Sequence, residues 1–332
     1  MRVPEPFDLD LVVRSHGWYD LAPWRYDAAR RRLARPLALS SGRAVAVEVA
    51  EARGGLALRI DAGGPLPRAD AAEARAAIAT CLDLARDLGS FRATAAALEA
   101  RRAAGRGRDR ELPDLRWALA RGAGRLLRSP TVFEDAVKTL CTTNCSWALT
   151  RGMVARLCER LGAIAPGGAR CFPGPAAMAA RDERFYREEI RAGYRARALV
   201  ELARAVAGGG LDVEALAGGE GTTGELLARV RAWRGFGPYA AEHLARLLGR
   251  RDRLALDSWT RPELARLRGL RRPPADATVR RWYAPYGPDA GLAMWLEVTA
   301  GWFGVTGARP AAPRARRHPR SAARSGGPRP GR

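Results

Sequence analysis

One carboxylate of the chain lies in a setting suited to chemistry: Asp257, within Leu254-Ala255-Leu256-Asp257-Ser258-Trp259. A carboxylate among apolar residues can stabilise positive charge that develops on a reacting carbon, and it can orient or deprotonate an attacking water. Asp257 also precedes a predicted helix that starts near Thr260, so it is a candidate N-cap as well. The two roles are compatible, because a cap holds the acid in place. Asp252, among arginines, is interpreted as a surface turn residue.

A Gly-apolar-Gly turn lies just upstream of this acid, in Trp233-Arg234-Gly235-Phe236-Gly237-Pro238-Tyr239-Ala240-Ala241. Neither glycine carries a Cβ, so the backbone can turn tightly and come close to a ligand. Apolar residues at helical spacing predict a helix on each side, and the second helix, from Pro238 to Leu248, begins with proline, which is favourable at that position. Its free N–H groups would face an anion such as a phosphate. An ordinary helical corner with a glycine C-cap remains the alternative for the triplet alone.

The surrounding pattern predicts an α+β fold, with a small N-terminal antiparallel β domain over residues 1–66 and a mostly α-helical body over 67–307. The helix-hairpin-helix is expected at about 224–249. Strands are predicted where apolar residues alternate or cluster between turns: Phe7 to Val13, Ala44 to Val49 and Leu56 to Ile60. Residues 308–332 hold eight arginines and no acid, and we expect them to form a disordered basic tail.

The formal net charge of +22 favours a polyanionic partner, and +14 remains without the arginine-rich tail. No apolar run approaches the length of a transmembrane helix, and no N-terminal signal pattern is visible. We therefore expect a monomer in the bacterial cytoplasm, associated with the nucleoid rather than with a membrane. The near-exclusive use of arginine over lysine is typical of a GC-rich genome.

The cysteines and histidines do not predict a metal site. The five cysteines form no C-x-x-C pair, none follows Asp257, and the three histidines are scattered along the chain. Cys141, Cys145 and Cys158 lie on helical patterns and are expected to be buried thiols.

Four blocks of sequence, in order, together resemble the 8-oxoguanine DNA glycosylases within the helix-hairpin-helix DNA glycosylase superfamily, which also includes the 3-methyladenine glycosylases. The blocks are Phe7-Asp8-Leu9-Asp10-Leu11, the run from Phe133 to Cys158, Gly193-Tyr194-Arg195-Ala196-Arg197, and the hairpin with Asp257. The resemblance spans roughly residues 7 to 303. It implies a base-excision repair enzyme that flips a damaged, oxidised or alkylated purine out of duplex DNA and hydrolyses its N-glycosidic bond.

The resemblance also implies roles for individual residues. Asp257 would be the catalytic acid, and the hairpin residues Gly235, Phe236, Gly237 and Tyr239 would contact the DNA backbone. Asn144 would fill the gap left by the flipped nucleotide, Tyr194 would wedge beside the orphaned base, and Arg195 would reach that base. The alternatives are that Asn144 caps a helix and that Tyr194 is a core aromatic residue. Where the family places another partner-reading arginine, this chain has Leu149, which weakens discrimination of the opposite base.

The position of lysine bears on lyase activity. Bifunctional relatives carry a lysine two residues after the second hairpin glycine, whose amine forms a Schiff base with the sugar. That position is Tyr239 here, and Lys138 is the only lysine in the chain. We expect Lys138 to snorkel or to contact the DNA backbone. A monofunctional glycosylase is therefore predicted; a bifunctional 8-oxoguanine glycosylase/lyase using Lys138 or the amino terminus, and a non-catalytic hairpin protein that binds DNA, remain the alternatives.

The resemblance implies a base pocket built from both halves of the chain: His16, Gly17, Tyr239, His243, Met294 and Val298. Met294 and Val298 stand where the family places a glutamine and a stacking phenylalanine, so the lesion is not defined by this comparison. Trp18, Tyr19, Trp295 and Trp302 would form an aromatic pocket suited to alkylated, cationic purines, with core packing as the alternative for each. No cofactor is expected beyond a monovalent cation that hairpins of this type often hold. The four-cysteine iron–sulfur loop of some relatives is absent from the sequence.

Overall fold

A computed structural model of the protein describes residues 1–105 and 107–305, so the predicted basic tail over 308–332 lies outside the described residues. The predicted α+β class is confirmed: a four-stranded antiparallel sheet precedes a mostly helical body. The strands pair in chain order and are β1 Arg25–Asp27, β2 Arg32–Ala38, β3 Ala44–Ala52 and β4 Gly55–Asp61. β3 and β4 include the two later predicted strands, whereas β1 and β2 were not predicted.

The predicted strand over Phe7 to Val13 is wrong, because the segment forms a short helix, α1 (Leu9–Val13). The Asp8 carboxylate caps it by accepting the backbone N–H groups of Asp10 at 3.0 Å and Leu11 at 3.3 Å. All five residues of α1 are buried, Asp10 included. Alternation of apolar residues therefore did not mark one face of a strand here.

The helices that follow α1 occupy most of the rest of the described chain. They are α2 Arg68–Cys81, α3 Gly89–Ala103, α4 Arg116–Arg121, α5 Val132–Thr142, α6 Trp147–Leu161, α7 Pro175–Ala179, α8 Glu183–Glu188, α9 Ala196–Ala207, α10 Thr223–Arg231, α11 Pro238–Leu247, α12 Thr260–Leu267, α13 Asp276–Tyr283 and α14 Ala290–Thr299. Short 3₁₀ turns connect several of them. Within the described ranges, no helix is long and apolar enough to cross a membrane.

Two hydrophobic cores organise these elements. One core joins the sheet to α5, α6, α9, α10 and α11, and the other joins α3, α4, α12, α13 and α14. α1 belongs to both, since Leu9 and Val13 pack in the first core and Leu11 in the second. The hairpin and the segment that carries Asp257 thus belong to different cores, and Arg246 of α11 meets Trp295 of α14 where the cores adjoin. The domain boundaries at 66 and 307 remain predictions.

Candidate active site

The predicted hairpin consists of α10 and α11 joined by a short turn. α10 begins with a capping box, in which Thr222 and Glu225 satisfy each other's backbone N–H groups. Phe236 is buried and its ring meets the Trp233 ring edge-on at 5.2 Å, which anchors the tip to the first core. α11 starts at Pro238, and its first turn projects from the end of the hairpin.

The two hairpin glycines, Gly235 and Gly237, differ in whether the fold requires a residue without a side chain. Gly235 adopts a φ of +85°, and a Cβ there would lie 2.8 Å from the Leu140 side chain, so the fold itself requires glycine. Gly237 has a negative φ, and a Cβ there would meet no described atom within 4 Å. The fold does not require glycine at Gly237, but its absence of a side chain leaves the start of α11 approachable by a ligand.

Asp257 is half-buried at the start of α12. Its Oδ1 accepts the backbone N–H groups of Trp259 at 2.9 Å and Thr260 at 2.7 Å, and the Thr260 hydroxyl accepts the Asp257 N–H at 2.8 Å. Ala255, two residues earlier, has a φ of +45° and turns the chain into this position. No described residue hydrogen-bonds Oδ2. The capping role is therefore real, and it leaves one carboxylate oxygen for other partners.

A row of four rings lies beside the hairpin. The Tyr239 ring stacks on His243 at 6.0 Å, His243 lies 4.8 Å from Trp18, and Trp18 lies 4.9 Å from His16. Tyr239 remains 45% exposed, whereas His16 is buried. Burial raises the pKa of Tyr239, and the nearby charge of Asp257 raises it further. The row links the hairpin to the segment that follows α1.

Both histidines of this row are neutral and incompletely hydrogen-bonded. His16 Nε2 lies 2.5 Å from the Leu127 carbonyl, so Nε2 must carry the proton and donate. His16 Nδ1 is consequently a bare acceptor, and it has no partner among the described residues. His243 Nε2 is likewise buried and unpaired within the described structure. Burial lowers the pKa of His16 to about 4 and that of His243 well below its usual value.

A second cluster of rings flanks Asp257 on its C-terminal side. Trp295 lies 5.9 Å from both Trp259 and Trp302, and the Arg246 guanidinium lies 4.4 Å above the Trp295 ring. Burial lowers the pKa of Arg246, while Tyr239, Asp257 and Glu242 act electrostatically in the opposite direction. One face of Trp295, a residue of the predicted aromatic pocket, is therefore already covered by a guanidinium of this chain.

The structure places Met294 and Val298 inside the second core, with 0% and 1% exposure. Their role in the base pocket stays a prediction. On an α-helix the next residue is turned by about 100°, and Trp295, next to Met294, lies against Arg246. Gly17 begins a 3₁₀ turn, and a Cβ there would lie 2.6 Å from the Trp147 ring, so packing accounts for this glycine.

The three predicted wedge residues lie together between α5 and α9. Asn144 is exposed with a φ of +42°, a conformation that asparagine tolerates, and the adjacent helix α6 is capped by Ser146 instead. Tyr194 is 61% exposed and is not a core residue, and its hydroxyl contacts Thr143 at 3.2–3.3 Å. Arg195 lies under the Tyr194 ring and donates to the Thr143 carbonyl.

Lys138 does not snorkel and does not reach the surface, so that prediction is wrong. It is fully buried, and its amine lies 2.7 Å from Glu134, one turn earlier on α5. Arg35 on β2 lies 2.8 Å from the same carboxylate. Cys141 on this helix and Cys158 on α6 are buried free thiols, as predicted, and burial raises the pKa of each to about 12. The prediction for Cys145 is wrong, because this free thiol lies between α5 and α6 and is partly exposed.

Sequence reasoning missed two residues of the site, Arg246 and Trp259. Arg246 lies seven residues after Tyr239 and three after His243, which is the spacing of one helical face. That spacing was available as a signal, but arginine is common throughout the chain. The structure brings Asp257, Tyr239, His243 and His16 into one neighbourhood with these two. Within the described residues, no group of three or more His, Cys, Asp or Glu side chains is arranged to hold a metal ion.

No protein-family model and no curated protein matches the chain. Solved structures do match it. A 3-methyladenine DNA glycosylase from Archaeoglobus fulgidus is similar at a TM-score of 0.66 and 18% identity, covering 90% of this chain and 97% of that one. A Clostridium acetobutylicum 8-oxoguanine glycosylase/lyase, in complex with double-stranded DNA containing cytosine opposite 8-oxoG, is similar at 0.63 and 17%, covering 90% and 92%.

A third structure, MBOgg1 in complex with a low-affinity DNA ligand, matches at a TM-score of 0.62 and 20% identity, with 90% of this chain and 93% of that one covered. At these identities the similarity establishes a shared fold. The resemblance in fold that the four sequence blocks predicted is confirmed.

Proposed function

From the fold that the chain shares with these DNA glycosylase structures, we propose that it is a DNA glycosylase that removes a damaged purine from duplex DNA and uses Asp257 as its catalytic acid. The observation that carries this proposal is the environment of Asp257. Oδ1 is held by two backbone N–H groups while Oδ2 has no hydrogen-bond partner among the described residues. An acid fixed in this way is pre-oriented for one reacting group.

The chemistry required is modest and suits one carboxylate. Cleavage of an N-glycosidic bond builds positive charge on the sugar, which the Asp257 carboxylate stabilises electrostatically. Oδ2 also orients the attacking water and accepts its proton. The base leaves with the electrons of the broken bond, and the sugar carbon gains the water oxygen.

The hairpin would bind the DNA backbone. The start of α11 offers backbone N–H groups and the positive end of the helix dipole, which bind a phosphate without reading sequence. Gly237 allows close approach because it has no side chain. The exposed wedge, Asn144 with Tyr194, would enter the duplex and hold the partner strand while the damaged nucleotide is turned out. Arg195 would leave Thr143 to reach the orphaned base.

We further propose that the enzyme is monofunctional. A lyase needs an amine that can attack the sugar, and the only lysine, Lys138, is buried in an ion pair with Glu134. The amine of Met1 is engaged as well, donating to the Leu56 carbonyl at 2.5 Å on the sheet. Tyr239, at the hairpin position where bifunctional enzymes carry lysine, cannot form a Schiff base.

The test is base release from duplexes that carry 8-oxoguanine, 3-methyladenine, hypoxanthine, uracil or a mismatch, scored before and after hot alkali. Strand breaks that appear only after alkali would support a monofunctional glycosylase. Breaks before alkali, together with a borohydride-trapped adduct, would instead indicate lyase activity. Tight binding to every duplex without release would indicate a non-catalytic DNA-binding protein.

Asp257→Asn should lower base release on the order of 10²–10³-fold and leave duplex binding intact, because the amide keeps the shape but not the charge. Asp252→Asn is the matched control: this nearby acid is exposed, accepts a hydrogen bond from Thr223 and lies outside the ring clusters. Equal loss of release and binding in Asp257→Asn would contradict the assigned role.

A further inference from the structure

Arg246 is a partly buried cation beside aromatic and imidazole groups, and two acids, Asp257 and Glu242, act on it electrostatically without pairing with it. No carboxylate of a described residue lies within salt-bridge distance of it, and none of the described hydrogen bonds uses its guanidinium. The buried cations of α5 and β2 differ, since Lys138 and Arg35 both pair with Glu134. Even partial burial of an unpaired cation carries a desolvation cost, which a ligand that accepts hydrogen bonds from the guanidinium would offset.

The surroundings of Arg246 are those of the candidate base site. The guanidinium stacks on Trp295 at 4.4 Å, and its charge lowers the pKa of both His16 and His243. Asp257 is close enough to act on it electrostatically. Arg246 and Trp295 also line a narrow cleft whose other walls include Arg250, Arg251 and Arg253 but not Asp257 or either histidine, so Arg246 can be approached from solvent.

The polarity of these groups defines what fits between them. The guanidinium presents only N–H donors and a positive charge, which suit a carbonyl or ring-nitrogen acceptor. His16 Nδ1 presents a bare acceptor, because Nε2 donates to Leu127, and it suits a base N–H. The face of Trp295 is taken by Arg246, and a second cation brought to this site would be repelled.

We propose that Arg246 determines specificity by charge: it binds the acceptor edge of a neutral purine and rejects purines that alkylation has made cationic. This inference rests on the proposed glycosylase function, and it reverses the expectation that the tryptophans serve a cationic base. A phosphate ligand would satisfy the same guanidinium, so the test must separate contact with the base from contact with the backbone.

The experiment measures binding, so that its result does not depend on catalysis. Three duplexes are compared at one salt concentration: undamaged, with 8-oxoguanine, and with cationic 7-methylguanine, the two lesions on hydrolysis-resistant 2′-fluoroarabino sugars. The proteins are the full chain and its variants Arg246→Met, Arg246→Lys and Arg53→Met. Methionine keeps the apolar stem without the charge, lysine keeps the charge, and Arg53 is an exposed arginine in the β3–β4 turn.

The wild type should bind the neutral lesion more tightly than the cationic one. Arg246→Met should reduce this ratio of dissociation constants at least 10-fold, and Arg246→Lys should stay within about 3-fold of the wild type, since it retains the positive charge. Arg53→Met should leave the ratio unchanged. If Arg246→Met does not fold, Arg246→Gln, which removes the charge but keeps a donor, gives the same comparison.

Two results would overturn the inference: an unchanged ratio in Arg246→Met, or equal weakening of all three duplexes, which would identify a phosphate contact. A wild type that prefers the cationic lesion would overturn it as well. The failure of the proposed function is a separate result, namely no base release from natural-sugar duplexes. A wild type without release whose binding ratio still depends on Arg246 would support the charge selection and reject the catalysis.

Discussion

Helices α5 and α11 pack against each other and bury charged or polar groups in opposite ways. On α5, Glu134 is flanked by Arg35 at 2.8 Å and Lys138 at 2.7 Å, and Asp135 accepts hydrogen bonds from Trp18 and from the Ser129 backbone. On α11, His243 Nε2 is buried and has no partner in the described structure. Arg246 is partly exposed, and Asp257 and Glu242 act on it only electrostatically. The buried carboxylate of Glu134 is thus paired with two cations, whereas Arg246 forms no salt bridge with a described residue.

The presence or absence of a partner distinguishes polar groups that stabilise the fold from polar groups that are available to bind a ligand. A compensated cluster tolerates burial only while every member is present, so it constrains the packing of β2 against α5. Uncompensated groups with shifted pKa values beside a carboxylate are typical of functional sites. Lysine, the residue expected to touch DNA, belongs to the first group, and an arginine that the sequence did not single out belongs to the second.

The largest effect on stability is expected from removing Glu134, the carboxylate shared by the two buried ion pairs. Glu134→Ala leaves Arg35 and Lys138 buried without a counter-charge, and it should lower the free energy of unfolding by about 3–5 kcal/mol. Urea denaturation at neutral pH measures this. Glu159→Ala on exposed α6 surface is the control and should change stability by less than about 0.5 kcal/mol. A comparably small effect of Glu134→Ala would show that the cluster is not structural.

The next largest effect is a pH dependence of stability caused by His16, a buried histidine beside His243 of α11. The folded protein holds the pKa of His16 at about 4 against an ordinary 6.5, so the unfolded chain binds more protons between these values. The stability contributed by neutral His16 is therefore fully present above about pH 6.5 and is lost as the pH falls towards 4, by roughly 3 kcal/mol at most.

Unfolding free energies between pH 7 and pH 4.5 measure this loss in the wild type and in His16→Gln. Glutamine can still donate to the Leu127 carbonyl but does not titrate, so the variant should depend less steeply on pH. The opposing titration of carboxylates is common to both proteins and cancels in the comparison. Parallel curves for the two proteins would contradict the assignment.

Elements with one polar face could be predicted from the sequence, and elements buried all round could not. The hairpin was predicted because α10 and α11 alternate apolar and charged faces around a glycine turn. α1 and α14 have almost no exposed face, so the apolar pattern gave α1 the wrong structure and could not indicate which side of α14 faces the site.

Site residues could be predicted from the sequence only where their residue type is unusual in its part of the chain. Asp257 stands out because its segment is otherwise apolar, and the absence of lysine from the hairpin is visible at once. Arg246 is one arginine among many, and only its missing partner distinguishes it. Lys138 and Glu134 are four residues apart on one helix, so the sequence can indicate this pair. Arg35 lies on strand β2, far away in the sequence, so its ion pair with Glu134 could not be predicted.

The smallest effect on stability is expected from removing Lys138, one of the two cations paired with Glu134. Lys138→Met removes the buried amine but keeps its apolar stem, and Glu134 retains Arg35, so the loss of stability should be about 0–2 kcal/mol, well below that of Glu134→Ala. Urea denaturation compares the two. Base release per folded molecule should be unchanged, since the amine faces Glu134 rather than DNA. A borohydride-trapped adduct in the wild type that disappears in Lys138→Met would mean that this lysine leaves its ion pair during the reaction, and α5 would then belong with α11 as part of the active site.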